Sequence, residues 1–99
     1  MAIDTNMVFV VKFKNNKILE GIKKMPTLEQ KKLSYLIDDL ETNGPIQAGW
    51  KNYSKLGKNK FHCHLSYKWV VCWECDENTN DSIKIIEVYY AGSRENAPY

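Results

Sequence analysis

The chain has 99 residues, 43% of them hydrophobic and 26% charged, which is the size and balance of one ordinary folded domain rather than a disordered chain. That length excludes a separate cofactor domain, and no apolar run approaches the ~18–20 residues of a membrane span. Three cysteines are too few, and odd in number, for a disulfide scaffold, and the polar Met1-Ala2-Ile3-Asp4 start lacks a secretion signal, so a reducing cytoplasm is expected.

The net charge of +2 is unevenly spread. Residues 1–41 hold seven Lys and six acids (+1), residues 42–73 five Lys and no acid (+5), and residues 74–99 one Lys, one Arg and six acids (−4). A stretch free of carboxylates attracts a polyanion. Lysines alone would be an ordinary solvated surface; here both histidines and several aromatic rings lie among them.

Met7 to Lys14 is β-branched and aromatic and predicts a well buried strand. Asn15-Asn16 breaks it. Lys17 to Lys24 then places Ile18, Leu19 and Ile22 at helical spacing, and Pro26 stops that helix. Thr27-Leu28-Glu29-Gln30 fits a capping box opening a second helix. Leu28, Leu33, Leu36, Ile37 and Leu40 form its apolar stripe, with Lys31 and Lys32 outside it. Asn43-Gly44-Pro45 ends it, which makes the two helices an αα-hairpin.

Pro45 to Asn59 reads as a loop, long enough to be functional in a small domain. Lys60 to Tyr67 alternates cleanly: Phe61, Cys63, Leu65 and Tyr67 on one face, Lys60, His62, His64 and Ser66 on the other. Trp69 to Cys75 is a second strand, Asp76 to Asp81 a polar turn, and Ile83 to Tyr90 a third strand ended by Ala91-Gly92-Ser93. The expected fold is α+β, as one domain over residues 1–99: an N-terminal strand, an αα-hairpin, then a three-stranded antiparallel meander. Together these form a four-stranded sheet covered by the helices.

His62 and His64, two apart in a strand, project from one face with Lys60. Arg94 follows the last strand, where a meander can return it to the same region. Imidazoles, a guanidinium, ammonium groups and aromatic rings (Trp50, Tyr53, Trp69, Tyr99) are the groups that metal-free RNA cleavage needs. A base takes the proton of the ribose 2′-OH, cations stabilise the phosphorane, and an acid protonates the leaving 5′-oxygen. Histidine suits either proton role, with a reference pKa of ~6.5. Rings can stack splayed bases and lysines can position phosphates.

Each feature also has a plainer reading. A strand histidine can be a structural hydrogen-bonding residue. Trp50 and Tyr53 can pin the loop to the core, where Trp73 and Tyr89 also belong, and Tyr99 can be a frayed end. Cys72-Trp-Glu-Cys75 suggests zinc or redox chemistry, but residues three apart in a strand face opposite sides. A zinc site recruiting Cys63, His62 or His64 lacks a second paired motif. Cys63 and Cys72 read as small buried apolar residues, and no metal is expected.

The order of elements, Ile18–Pro26, Asn43-Gly-Pro45, Gly49-Trp-Lys-Asn-Tyr53, His62-Cys-His-Leu65, Trp69-Val-Val-Cys-Trp73 and Gly92-Ser-Arg-Glu-Asn-Ala-Pro-Tyr99 together resemble the RelE/ParE superfamily of bacterial toxins, closest to its RelE-like translational repressors. The resemblance covers nearly the whole chain. It implies a small α+β toxin that cleaves mRNA in the ribosomal A site without metal or small-molecule cofactor and is silenced by an antitoxin encoded beside it. In YafQ-like members a Gly-Trp-Lys loop precedes a strand histidine, which matches His64, with Trp69 five residues on. Their Gly-Thr-His segment matches Gly92-Ser93-Arg94, so arginine replaces histidine, as in other RelE-type members. Lys68 stands where some relatives carry an acid, and Tyr99 matches the terminal aromatic residue.

The expected roles follow. His64 is the general base, Arg94 stabilises the phosphorane, and His62 or Tyr99 helps the leaving group. Lys51, Lys55, Lys58, Lys60 and Lys68 contact mRNA or rRNA phosphates, and Trp69 stacks on a base or walls its pocket. The partners are the antitoxin, whose acidity would complement the basic middle third, and the ribosome with its mRNA, with no membrane involved. A ParE-like gyrase inhibitor on the same fold and a non-catalytic nucleic-acid-binding module are the competing readings.

Overall fold

The computed structural model describes residues 7–76 and 82–99. The Met1–Asp4 start and all but Asp76 of the expected Asp76–Asp81 turn lie outside them.

Strand β1 (Val8–Phe13) leads into helix α1 (Asn16–Lys23). Asn15 caps α1, its Oδ1 accepting from the Ile18 N–H at 3.2 Å. Helix α2 (Thr27–Asn43) starts differently from expectation. Thr27 is already helical and Pro26 takes the cap position, so no capping box forms. Gln30 instead reaches back, its Nε2 donating to the Met25 carbonyl at 3.0 Å and the Lys23 carbonyl at 3.4 Å, which ties the end of α1 to the start of α2. Leu33, Leu36 and Leu40 are buried, but Leu28 is exposed. Five residues at about 100° each place Leu28 roughly 140° away from Leu33, off the apolar stripe. Gly44 ends α2 at φ +90, where a Cβ would stand 2.8 Å from the Phe9 ring.

Four more strands complete the sheet: β2 (Ser54–Lys55), β3 (Lys60–His64), β4 (Trp69–Cys75) and β5 (Ile83–Ser93). The order is β1-β5-β4-β3-β2, with β1 parallel to β5 and the other pairs antiparallel. Among the described residues the sheet therefore has five strands where four were expected. The extra one is two residues long, too short for any periodicity to announce it. The first strand is not well buried either. It is an edge strand, and Val8 and Val10 are exposed while Phe9, Val11 and Phe13 pack against the core. β5 runs three residues past its expected end, to Ser93.

The helices cover one face. Ile18, Met25, Leu33, Leu36 and Leu40 meet Phe61, Cys63, Val71, Trp73, Ile86 and Val88 there. Trp73 is fully buried and its Nε1 donates to the Pro45 carbonyl at 3.0 Å. Among the described residues no helix is long and apolar enough to cross a membrane.

Candidate active site

The face opposite the helices carries the histidines. Strand alternation sends Phe61 and Cys63 into the core and His62 and His64 the other way, with ring centroids 5.6 Å apart. β2 supports the first of them: Ser54 pairs with His62 in register, and the Ser54 hydroxyl is 2.9 Å from His62 Nδ1. The C-terminal residues close over it, and the Tyr99 ring lies 4.5 Å from the His62 ring at 49°. Beside His64, the Lys51 carbonyl accepts the His64 backbone N–H at 2.9 Å, which brings the Gly49–Tyr53 loop to the site.

Arg94 arrives from the far end of the chain. Its N–H donates to the Lys68 carbonyl at 2.7 Å, anchoring it to the β3–β4 turn. Its guanidinium lies over Tyr67, with Nη2 donating to the Tyr67 hydroxyl at 3.2 Å. It is near enough to act electrostatically on both His64 and Tyr99.

These surroundings set the protonation states. His64 is held below its ordinary 6.5, chiefly by burial, with Arg94 and Lys51 adding to it; the Ser66 backbone pulls the other way. Its buried Nδ1 has no hydrogen-bond partner of ordinary geometry among the described residues. His62 is also held below 6.5, by burial first and then by His64, against the Ser54 backbone. Burial raises the Tyr99 phenol above 10, with Cys72 and Tyr90 adding to it and Arg94 opposing. At neutral pH the site therefore holds two neutral imidazoles and a protonated phenol beside a guanidinium. A neutral imidazole can accept a proton, a phenol can donate one, and a guanidinium can hold a phosphoryl oxygen.

His62, His64, Tyr99 and Arg94 thus lie together. The lysines are distributed around them. Lys51 adjoins His64, and Lys68 is exposed in the turn that anchors Arg94. Lys60 leans over Tyr89, 5.5 Å from the ring. Lys58 is exposed between β2 and β3. Lys55 pairs with Phe61 and stands 5.8 Å over its ring, on the opposite face of β3 from the histidines. Trp69 is also on the helix side, half-buried against the core. It borders a hollow of about 450 Å3 with Tyr67, Ser93, Arg94 and Glu95 rather than stacking beside the imidazoles.

Trp50 and Tyr53 are structural pins. Trp50 Nε1 donates to Asp39 Oδ2 at 2.9 Å, and Tyr53 packs 6.3 Å from Phe61 and 6.4 Å from Trp73. All three cysteines are buried, and burial pushes the Cys63 and Cys72 thiols up to about 12. Among the described residues, no three His, Cys, Asp or Glu side chains gather where a metal ion could be held.

Ser54 and Tyr67 are site residues that the sequence pattern did not reveal. Ser54 lies in a strand too short to read. Tyr67 fits the core side of the alternation, but β3 ends at His64 and the turn swings Tyr67 outward.

Neither a family model nor a curated protein matches the sequence. Among solved structures, the chain is similar to that of a YoeB-YefM complex from Staphylococcus aureus, at TM-score 0.63 and 16% identity over 85% of this chain and 94% of that one. A YoeB/ParE toxin from Agrobacterium tumefaciens gives TM-score 0.61 at 10% identity over 88% and 98%. A YoeB dimer from Staphylococcus aureus gives 0.60 at 12% over 89% and 97%. The chain has the RelE/ParE-like toxin fold.

Proposed function

We propose that this protein is the toxin of a toxin–antitoxin pair and an endoribonuclease that cleaves ribosome-bound mRNA in the cytoplasm, repressing translation. The observation that carries the reading is the meeting of His62, His64, Tyr99 and Arg94 on the face of the sheet away from the helices. In this mechanism the neutral His64 removes the proton from a ribose 2′-OH. The 2′-oxygen attacks the adjacent phosphorus, the bond to the 5′-oxygen breaks, and a 2′,3′-cyclic phosphate remains. Arg94 stabilises the charge gathering on the phosphorane oxygens. Tyr99 gives its proton to the departing 5′-oxygen, with His62 against its ring. No step calls for a metal or cofactor. Lys51, Lys58, Lys60 and Lys68 hold mRNA or rRNA phosphates.

The partner is a cognate antitoxin. One similar structure is a complex with YefM, and the acid-free stretch 42–73 suits an acidic segment laid over it.

Primer extension on mRNA from expressing cells tests the proposal. Discrete cleavage ends, abolished together with growth arrest in His64→Ala/Arg94→Ala, are expected. Intact mRNA with inhibited gyrase supercoiling would replace this reading with a ParE-like one.

A further inference from the structure

Two hollows share a wall at one end of the sheet. The smaller, described above, holds Arg94. The larger, about 830 Å3, is lined by Lys14, Lys17 and Lys24 together with Tyr89, Tyr90 and Pro98. Trp69 and Ser93 line both, so they form one continuous track.

The topology creates the larger hollow. The last β1–β5 pair is Phe13↔Val88, after which the Lys14 N–H donates to the Val88 carbonyl at 3.0 Å and the chain turns away into α1. Among the described residues, no strand neighbours the stretch of β5 from Tyr89 to Ser93 on that side. α1 closes one wall, so near that a Cβ on Gly21 would stand 2.7 Å from the Ala91 carbonyl oxygen. The C-terminal residues form the other wall: Asn96 and Pro98 line the groove while Tyr99 turns onto His62. The groove and the reacting groups thus lie against the same four-residue tail, Asn96 to Tyr99. Three ammonium groups line it, and Glu20 is the one carboxylate among the described residues that do so.

We propose that this groove seats the RNA strand flanking the scissile bond, its phosphates on Lys14, Lys17 and Lys24 and its bases against the tyrosines and Trp69. The inference rests on the nuclease reading and adds to it a second RNA subsite, built from α1. Ammonium groups alone would suit an acidic peptide equally well. The aromatic side chains along the groove, and its continuity with the Arg94 hollow, favour single-stranded RNA.

The test uses oligoribonucleotides carrying a 2′-deoxy sugar at the cleavage position, lengthened stepwise on each side of it. The wild-type protein should bind tenfold or more tightly once extension on one side reaches the groove. Lys14→Glu/Lys17→Glu/Lys24→Glu should lose that gain and lower the slope of log K against log salt by about 2, as expected for roughly three lost phosphate contacts on a single strand. If the triple variant unfolds, Lys17→Gln alone should lower the slope by about 0.7. An unchanged slope and length dependence would overturn the proposal. So would RNA binding kept intact while binding of poly-glutamate is lost, which would give the groove to a protein. A wild-type protein that binds in this lysine-dependent way but never cuts would retain the groove and discard the nuclease.

Discussion

The Arg94 guanidinium lies over the Tyr67 ring, its Cζ 4.4 Å from the centroid, while the Tyr67 hydroxyl takes the Nη2 hydrogen bond at 3.2 Å. Both residues are exposed, and Tyr67 retains 67% of its surface. A stacked cation at such a site gains only ~0.5–1 kcal/mol. The consequence is orientation: a long side chain that would otherwise sample many rotamers is held in one. Tyr67 is therefore a positioning residue for the proposed chemistry.

Tyr67→Leu should lower kcat about tenfold with KM nearly unchanged, since phosphorane stabilisation, not substrate holding, is lost. Arg94→Lys should cost about 10²–10³. Adding Tyr67→Leu to Arg94→Lys should then cost little more, because the ring no longer has a guanidinium to aim. Full additivity of the two losses would show that Tyr67 acts in some other way.

The rate of cleavage should hold a plateau through neutral pH. The base works in its neutral form, and His64 and His62 both titrate below 6.5. The acid limb of kcat/KM should accordingly fall below pH 6.5 rather than at it. The acid works protonated, and the Tyr99 phenol titrates above 10, so no alkaline limb should appear before pH 10. Tyr99→Phe should lower the plateau without moving the acid limb toward higher pH. A limb centred near pH 7 would remove both imidazoles from the base role.

Stability should depend on pH through the same histidines. Their folded pKa values are lowered, so the unfolded chain binds more protons between the folded values and 6.5. Stability therefore rises with pH across that window. It is fully present above 6.5 and falls as pH drops through 6.5 toward the folded values. Thermal melts from pH 8 down to pH 5 should show this decline, and His62→Asn/His64→Asn should flatten it.

The sequence patterns for the core and the opposite face were readable for different reasons. The alternation of Phe61, His62, Cys63 and His64 placed the histidines opposite the core, as found. Yet both retain only 7% exposure. Their cover comes from Tyr99 and the 51–54 segment, which are distant or irregular in sequence. The Thr27–Gln30 capping box is a local rule overridden by the tight α1–α2 connection, where Pro26 occupies the cap. The reach of Arg94 to Tyr67 spans 27 residues, and no short-range pattern encodes it. The two-residue β2, which presents Ser54 to His62, carries no periodicity at all.

Trp50 offers a test of pin against ligand platform. Its indole N–H is spent on the Asp39 carboxylate at 2.9 Å, across 11 residues, near the C-terminal end of α2. Trp50→Phe should lower stability by about 1.5–3 kcal/mol, the range for a lost hydrogen bond to a charged group. RNA affinity should change less than twofold. A loss of binding of tenfold or more, with melting unchanged, would make Trp50 a stacking residue instead.

Gly21 makes the groove beside β5 narrow, and its replacement is the sharpest structural prediction. In an exposed helix, Gly→Ala gains about 1 kcal/mol of helix propensity. Here the added methyl would meet the Ala91 carbonyl oxygen at 2.7 Å, and that oxygen belongs to the backbone of β5 and cannot rotate away. Either α1 lifts from the sheet or the strand bends, and overpacking of this kind costs typically ~1–3 kcal/mol. The clash should outweigh the propensity gain. For a domain this size each kcal/mol shifts Tm by about 4–8 °C, so Gly21→Ala should melt several degrees lower than wild type. Lifting α1 would also widen the groove lined by Lys17 and Lys24, so RNA affinity should fall alongside Tm. A Gly21→Ala variant that melts higher would mean that α1 stands farther from β5 than described.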